Sequence, residues 1–452
     1  MLFYSTNRKL SNGFQEKVSF KTALFMGQTP DEGLFMPDFI PQFSENQLLA
    51  LKDEPYHEVA FEVLKLFLQA DVPDETLKNL TQEAYTFDIP IDTIEVKEKT
   101  LFIARMDDGP TASFKDFAAQ LMARLMRTLK PPTEKITILV ATSGDTGSAI
   151  GEAFHGLEGI EVVILYPKNE VSNIQRKQLT TLGNNVSALE IDGKFDDCQH
   201  FVKKAFTDTD LKHLHLTSAN SINIGRLLPQ VVYYFYIYLK VAENLEKVNF
   251  CIPTGNLGNA MGCMIAKQMG LPVNKIIVAT NSNNAIPTWL QSGAYQKVSP
   301  SRNAISNAMN VGNPSNLARL FDLFDGTVDK NGTTHLSPDL EKIQESVISV
   351  SVTDEETIAC VKSVYKKYHI LLEPHGAVGM VALEKYPKLN YKTILLETAH
   401  PAKFPEVIEK ELGFSPEVPQ HLKDIMHKSE QKTEIQADYQ QFKDFLLKTY
   451  PA

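Results

Sequence analysis

Lys115 stands in the run Gly109-Pro110-Thr111-Ala112-Ser113-Phe114-Lys115-Asp116, directly ahead of an apolar helical stretch, and two glycine-punctuated loops follow it along the chain. Phe114 and Phe117-Ala118-Ala119 give the amine an apolar setting. A lysine so placed is poorly hydrated and readily held neutral for Schiff-base chemistry. The loop Pro253-Thr254-Gly255-Asn256-Leu257-Gly258-Asn259 lies between a predicted strand and a predicted helix. Its glycines let the backbone approach an anion, and the helix start adds unpaired N–H groups and a favourable dipole, so it reads as a phosphate cradle. It lacks the Gly-Lys-Ser/Thr ending of a Walker loop and the spacing of a dinucleotide fingerprint. The loop Thr142-Ser143-Gly144-Asp145-Thr146-Gly147 has the same strand, turn and helix setting. The hydroxyls of Thr142, Ser143 and Thr146, with successive backbone N–H groups, form a nest sized for a carboxylate or phosphate. Helix capping by Ser143, Asp145 or Thr146 is the plainer reading of the same residues. An amine, a carboxylate nest and a phosphate nest are together what an amino-acid enzyme using pyridoxal phosphate requires.

The elements that must hold these groups follow from periodicity. Short β-branched runs at 136–140, 162–165, 186–191 and 213–216 alternate with helical segments near 147–157, 172–182 and 195–206. A second set of strands is expected at 248–252, 275–279, 347–350 and 393–396. Alternation at this length means right-handed βαβ units. The fold class expected is therefore α/β, with two open twisted sheets flanked by helices and a mainly helical N-terminal domain. Helical spacing of apolar residues from Glu45 to Phe87 and the Pro- and Asp-dotted stretch at 88–92 set that N-terminal domain at residues 1–95. A large α/β domain is expected over 96–133 with 231–403, a small one over 134–230, and an outer helical segment over 404–452. The greasy stretch Leu227 to Val241 carries Gln230, Lys240 and four tyrosines and reads as a buried helix.

Bulk properties limit the functions. A chain of 452 residues exceeds what one core supports, so several domains are expected. The net charge of -10 argues against nucleic acid, which is bound through a basic face. The four cysteines show no pair at zinc-site spacing and no disulfide framework, which suits a reducing cytoplasm. No metal site, membrane span or signal peptide is expected.

The ordered motifs resemble the threonine synthase family, within the fold type II pyridoxal-phosphate enzymes, over nearly the whole chain. The residues that carry the likeness are Gly109-Pro110-Thr111 with Phe114-Lys115-Asp116, Ser143 to Gly147, Asn220-Ser221 with Arg226, Pro253 to Asn259, and Thr398-Ala399-His400-Pro401-Ala402-Lys403-Phe404. The opening, through Val18-Ser19-Phe20 and Gly33-Leu34-Phe35-Met36-Pro37, is similar to the longer branch of that family. The resemblance implies that Lys115 holds pyridoxal phosphate through a Schiff base and shuttles protons. It implies that Gly255, Asn256, Leu257, Gly258 and Asn259 bind the cofactor phosphate, that Asp145 lies near ring O3′, and that Thr398 faces the pyridine nitrogen. The substrate, O-phospho-L-homoserine, would set its carboxylate on Thr142, Ser143 and Thr146 and its phosphate on Ser221, Arg226 and Asn256. A monomer or homodimer making threonine and phosphate is expected. The competing readings are a serine or threonine dehydratase or an O-phospho-amino-acid lyase of the same fold, and a non-catalytic holder of the cofactor. Two features depart from the pattern. Asp107-Asp108 stands where many relatives have His, and Asp145 stands where Asn is common, so a proton is expected on either Asp145 or O3′.

Overall fold

The computed structural model describes residues 1–96, 99–386 and 389–451. Strands buried on both faces read as unbroken apolar runs, and Ile136–Ala141 and Val248–Pro253, every residue of which is buried, are interior strands of two sheets. The larger sheet has six strands in the order Val347–Ser351, Val273–Thr280, Val248–Pro253, Lys392–Glu397, Lys99–Arg105, Ile91–Val96. Its first five strands run parallel and the last antiparallel. The smaller sheet has five parallel strands in the order Thr433–Gln436, Val186–Asp192, Ile160–Pro167, Ile136–Ala141, Leu216–Ser218. The α/β class and the paired sheets expected from the sequence are present.

Three expectations are corrected. A boundary at residue 95 cuts the strand Ile91–Val96, which pairs with Lys99–Arg105 as an edge of the larger sheet. The strand placed at 213–216 begins at Leu216 instead. The Asp208 carboxylate accepts from the N–H of Asp210 and starts a 3-10 turn over Thr209–Leu214, and His215 ends it at φ 46°. The expected all-helical tail contains Thr433–Gln436, added to the smaller sheet beside Val186–Asp192. Only Ile435 of that strand is buried, too short a pattern for periodicity to show. Lys432 Nζ fastens it to Glu190 at 2.8 Å.

The N-terminal segment pairs the short strands Phe3–Ser5 and Phe35–Pro37 and adds the helices Glu45–Ala50, Tyr56–Leu68 and Asp74–Ala84. It packs on the back of the helix Lys115–Leu129 through an aromatic cluster. Tyr56 lies 5.0 Å from the Phe117 ring and 5.0 Å from that of Tyr236, and Tyr85 Oη donates to the Phe117 carbonyl at 2.9 Å. Such rings bury large area and gain further from edge-to-face contact. The helix whose first residue is Lys115 is thereby fixed against rotation. Pro229–Val241 is covered within the chain, with Tyr233, Tyr234 and Tyr238 fully buried, as expected of a core helix.

Candidate active site

The turn before Lys115 is self-braced. Asp116 accepts from Thr111 N–H at 2.8 Å and from Thr111 Oγ1 at 2.6 Å. The same turn is strapped to the segment after Lys392–Glu397, for Phe114 N–H donates to the Thr398 carbonyl at 2.9 Å and His400 N–H to the Ala112 carbonyl at 3.0 Å. Lys115 Nζ stands 4.5 Å from the Phe114 ring centre and, among the described residues, has no hydrogen-bond or ion-pair partner. Burial pulls its pKa down to about 8, Asp145 opposes that pull, and Arg226 and Lys403 add to it. Neutral amine is therefore accessible near neutral pH, as nucleophilic chemistry needs.

The turn expected to cradle a phosphate, Gly255–Asn259, lines the same cavity as Lys115 except at Leu257. Leu257 sits at φ 60°, a left-handed conformation uncommon for a residue with a side chain. Among the described residues, the five successive N–H groups from Gly255 to Asn259 have no partner, while Met261 N–H returns to the Leu257 carbonyl. Consecutive amides turned one way by such a kink form an anion nest. The Leu257 side chain points into the core, and the Asn259 side chain braces the loop by accepting from Thr254 Oγ1 at 2.6 Å and donating to the Pro253 carbonyl at 2.9 Å. These two offer a ligand their backbone. A Cβ on Gly255 would meet the Ala308 carbonyl at 2.9 Å, so the close approach requires glycine.

The second nest is built alike. Thr142 Oγ1 accepts from the N–H groups of Gly144 and Gly147, both at 2.9 Å, which leaves its own hydrogen for the cavity. The N-cap residue Gly144 has no side chain to cap the helix Asp145–Phe154, and among the described residues the N–H groups of Asp145 and Thr146 remain open. The capping reading of Ser143, Asp145 and Thr146 is not what this turn does.

Asp145 carries a partner that sequence reasoning missed. Lys403 Nζ lies 2.8 Å from its carboxylate, both groups are buried, and Lys403 also donates to the Thr111 carbonyl at 2.9 Å. Gln175 Nε2 donates to the same carboxylate at 2.9 Å. Burial alone would raise the Asp145 pKa, but Lys403, Lys115 and His375 outweigh it and hold the group well below the ordinary carboxylate range. The ionised form is the stable one here. Lys403 lay inside a quoted motif, but nothing in Pro401-Ala402-Lys403-Phe404 says that its amine turns inward. His400 accepts from Ala402 N–H at 3.1 Å and so serves the turn.

Behind Thr398 is a buried acidic pair. Thr398 Oγ1 lies 3.3 Å from Glu373 Oε1, Glu373 also accepts from Gly376 N–H at 2.8 Å, and the Glu373 N–H donates to Glu397 Oε1 at 2.8 Å. Burial, then the charge of Glu373, push the Glu397 pKa well above its ordinary value. His375 Nε2 accepts from the N–H of Ala308 at 3.3 Å, and its Nδ1 lies 2.6 Å from Glu373 Oε2.

Arg226 completes the cavity. It is buried, Nη1 donates to the Ala219 carbonyl at 2.7 Å, Nε has no partner, and among the described residues no carboxylate pairs with it. Burial lowers its pKa to about 10, which leaves it fully charged at neutral pH. Every site residue expected from the sequence except Leu257 lines this one cavity. The amine, the five open amides and the Thr398 hydroxyl are the groups a pyridine aldehyde phosphate needs, so the site fits pyridoxal phosphate.

Fold and cavity together define a pyridoxal-phosphate dependent enzyme. Residues 88–396 match the family model for that class, described as pyridoxal-phosphate dependent enzyme. The fold extends to distant chains such as maize serine racemase, with a TM-score of 0.54 at 13% identity over 82% of this chain and 98% of that one, a likeness of fold alone. The flanks narrow the assignment, since residues 3–85 match the threonine synthase N terminus and residues 376–446 the threonine synthase C-terminal model. The threonine synthase of Haemophilus influenzae is 38% identical, the match covering 96% of this chain and 98% of that one. A crystal structure of PLP-bound threonine synthase from Brucella melitensis has a TM-score of 0.90 at 34% identity and covers 100% of both chains. The yeast enzyme's structure follows at 0.88 and 31% identity, covering 98% of each. The chain belongs to the threonine synthase family.

Proposed function

We propose that this enzyme converts O-phospho-L-homoserine and water to L-threonine and inorganic phosphate. The observation that carries the reading is that one cavity is lined by Lys115, by the Gly255–Asn259 turn, whose five N–H groups have no partner among the described residues, and by Arg226, which has no carboxylate partner among them. A cofactor phosphate and a substrate phosphate account for the open amides and Arg226. Lys115, the Gly255–Asn259 amides, Thr398 and Asp145 are the groups that would hold pyridoxal phosphate, which when bound would supply the electron sink that acidifies the substrate's Cα and Cβ protons.

The protein's own groups do the rest. Lys115 Nζ takes the proton from Cα and returns it. Thr142, Ser143 and Thr146, with the open N–H groups of their turn, hold the substrate carboxylate by charge-assisted hydrogen bonds. Arg226, Ser221 and Asn256 hold the γ-phosphate and stabilise it as it leaves, and a guanidinium fork suits that dianion better than an ammonium would. The ionised Asp145 keeps a negative charge near Lys115 and is itself held by Lys403. We place the enzyme in the cytoplasm, where its four buried, unpaired cysteines remain thiols, and assign it a monomeric or homodimeric state.

The test is a joint assay of threonine and phosphate with purified enzyme and O-phosphohomoserine. Equimolar products, both abolished by Lys115→Ala, support the reading. Replacing Arg226 with Gln raises the KM for the phosphorylated substrate on the order of a hundredfold, since a hydrogen bond to charge contributes roughly 1.5–3 kcal/mol. Formation of 2-oxobutyrate as the main product, with indifference to Arg226→Gln, identifies a dehydratase instead.

A further inference from the structure

Ser221 and Asn256 line the cavity, but what they present to an anion is decided by three residues that do not line it, Asn316 and Arg319 for Ser221 and Ser315 for Asn256. Arg319 is fully buried on the helix Leu317–Leu323 and has no carboxylate partner among the described residues. Its guanidinium donates from Nε to the Phe35 carbonyl at 3.1 Å, from Nη1 to the Ser221 carbonyl at 2.9 Å and the Asn316 Oδ1 at 2.5 Å, and from Nη2 to the Ile222 carbonyl at 2.6 Å. A guanidinium has donors only, so the Asn316 atom that faces it must be oxygen. The Asn316 amide group then points the other way, donating to Ser221 Oγ at 3.2 Å and to the Asn256 carbonyl at 2.9 Å.

A hydroxyl that accepts from an amide keeps its hydrogen for something else. Ser221 lines the cavity beside Arg226, where that hydrogen can be offered. The neighbouring Ser315 treats Asn256 the same way, for its N–H and hydroxyl lie 3.4 Å and 3.3 Å from Asn256 Oδ1, which leaves the Asn256 amide nitrogen to donate. Acceptor atoms are occupied from behind and donors are left in front. An anion meets a surface with one polarity, and a neutral hydroxyl substrate gains less from it.

We propose that Asn316, oriented by Arg319, is a positioning residue that aims the Ser221 hydroxyl hydrogen at the substrate phosphate. The proposal rests on the reading of Ser221 as a phosphate contact and deepens it. It also gives the N-terminal segment a part in the site, since the Phe35 carbonyl is one of the four acceptors that fix Arg319.

The perturbation that isolates the relay is Asn316→Asp. The side chain keeps its size and its bond to Arg319, but both of its oxygens accept, so the Ser221 hydrogen turns back and its lone pairs face the phosphate. The experiment is a double-mutant cycle on the holoenzyme with Ser221→Ala, reading KM and kcat for O-phosphohomoserine, the inhibition constant of inorganic phosphate, and the melting temperature. Each single substitution is expected to raise KM and the phosphate inhibition constant on the order of tenfold with kcat within about twofold, the size of one hydrogen bond to a charged group. The double variant is expected to be no weaker than the weaker single variant. Effects that multiply in the double variant overturn the relay and make Asn316→Asp a through-space charge effect, while the role of Ser221 survives. No effect of Ser221→Ala alone overturns the placing of the phosphate at Ser221, and the relay with it. Should Asn316→Asp melt early, Asn316→Ala in the same cycle reads the same coupling without adding charge.

Discussion

Replacing Lys403 by Met tests the electrostatic centre of the site. At 2.8 Å the attraction between Lys403 and Asp145 is about 6 kcal/mol for an effective dielectric near 20. Much of that offsets the cost of taking two charges out of water, so the pair is worth far less than its Coulomb energy. Removing one partner is another matter, because it leaves Asp145 buried and charged with Gln175 as its remaining hydrogen-bond donor, at a cost of roughly 3–5 kcal/mol. Lys403→Met is therefore expected to lower the melting temperature by roughly 3–5 °C in differential scanning calorimetry. The double variant Asp145→Asn, Lys403→Met removes both charges and recovers most of the loss. A second readout follows from Lys115, whose pKa Lys403 depresses and Asp145 raises. Lys403→Met shifts the Lys115 titration to higher pH, and Asp145→Asn shifts it lower. A melting temperature within about 2 °C of the parent, or a double variant no more stable than Lys403→Met alone, refutes the argument.

Three further outcomes are expected. Lys115 in the apoprotein titrates at about 8 rather than 10.5, so its reactive neutral form grows about tenfold per pH unit below that point; capture of pyridoxal phosphate, followed by stopped-flow absorbance, rises to about pH 8 and then levels, and a flat profile contradicts it. Between 8 and 10.5 the unfolded chain holds a proton that the folded one has lost, so this lysine's contribution to apoprotein stability rises with pH across that window. Glu397, with its pKa raised by burial and by Glu373, stays protonated in the fold while the unfolded chain ionises above 4.5, so it subtracts stability increasingly as pH rises. Glu397→Gln keeps the acceptor for Glu373 N–H and is expected to match the parent near pH 5 and exceed it at pH 8 in urea titrations; equal stability at both pH values counts against a neutral Glu397. Gly144 sits at φ 133° with Gln175 only 2.4 Å from where a Cβ would be, so Gly144→Ala displaces the side chain that holds Asp145. Its expected result is a loss of roughly 1–3 kcal/mol of stability together with a raised KM, and an unchanged KM removes this turn from the carboxylate site.

The sequence by itself determined the groups that local chemistry specifies. A glycine-punctuated turn between strand and helix leaves amides open wherever it occurs, so Gly255 to Asn259 and Thr142 to Gly147 were legible, as was an amine in an apolar helix start at Lys115. Apolar runs made three strands of the smaller sheet and four of the six in the larger one legible, because burial on two faces demands unbroken apolar strands, while Ile91–Val96 and Lys99–Arg105 were not expected. What depended on distant segments was not legible. The four-residue strand Thr433–Gln436 exists because Val186–Asp192 offers an open edge, and the 3-10 turn at Thr209–Leu214 won over strand propensity through one aspartate. In the site, the carboxylate of Asp145 is paired with Lys403, 258 positions away in the chain. The donor polarity of Ser221 was likewise set by Asn316 and Arg319. A residue's type fixes which protons and lone pairs it owns, and that is written in the sequence. Which of them remain free for a substrate depends on what the rest of the fold has already taken, and only packing residues distant in the chain against one another decides that.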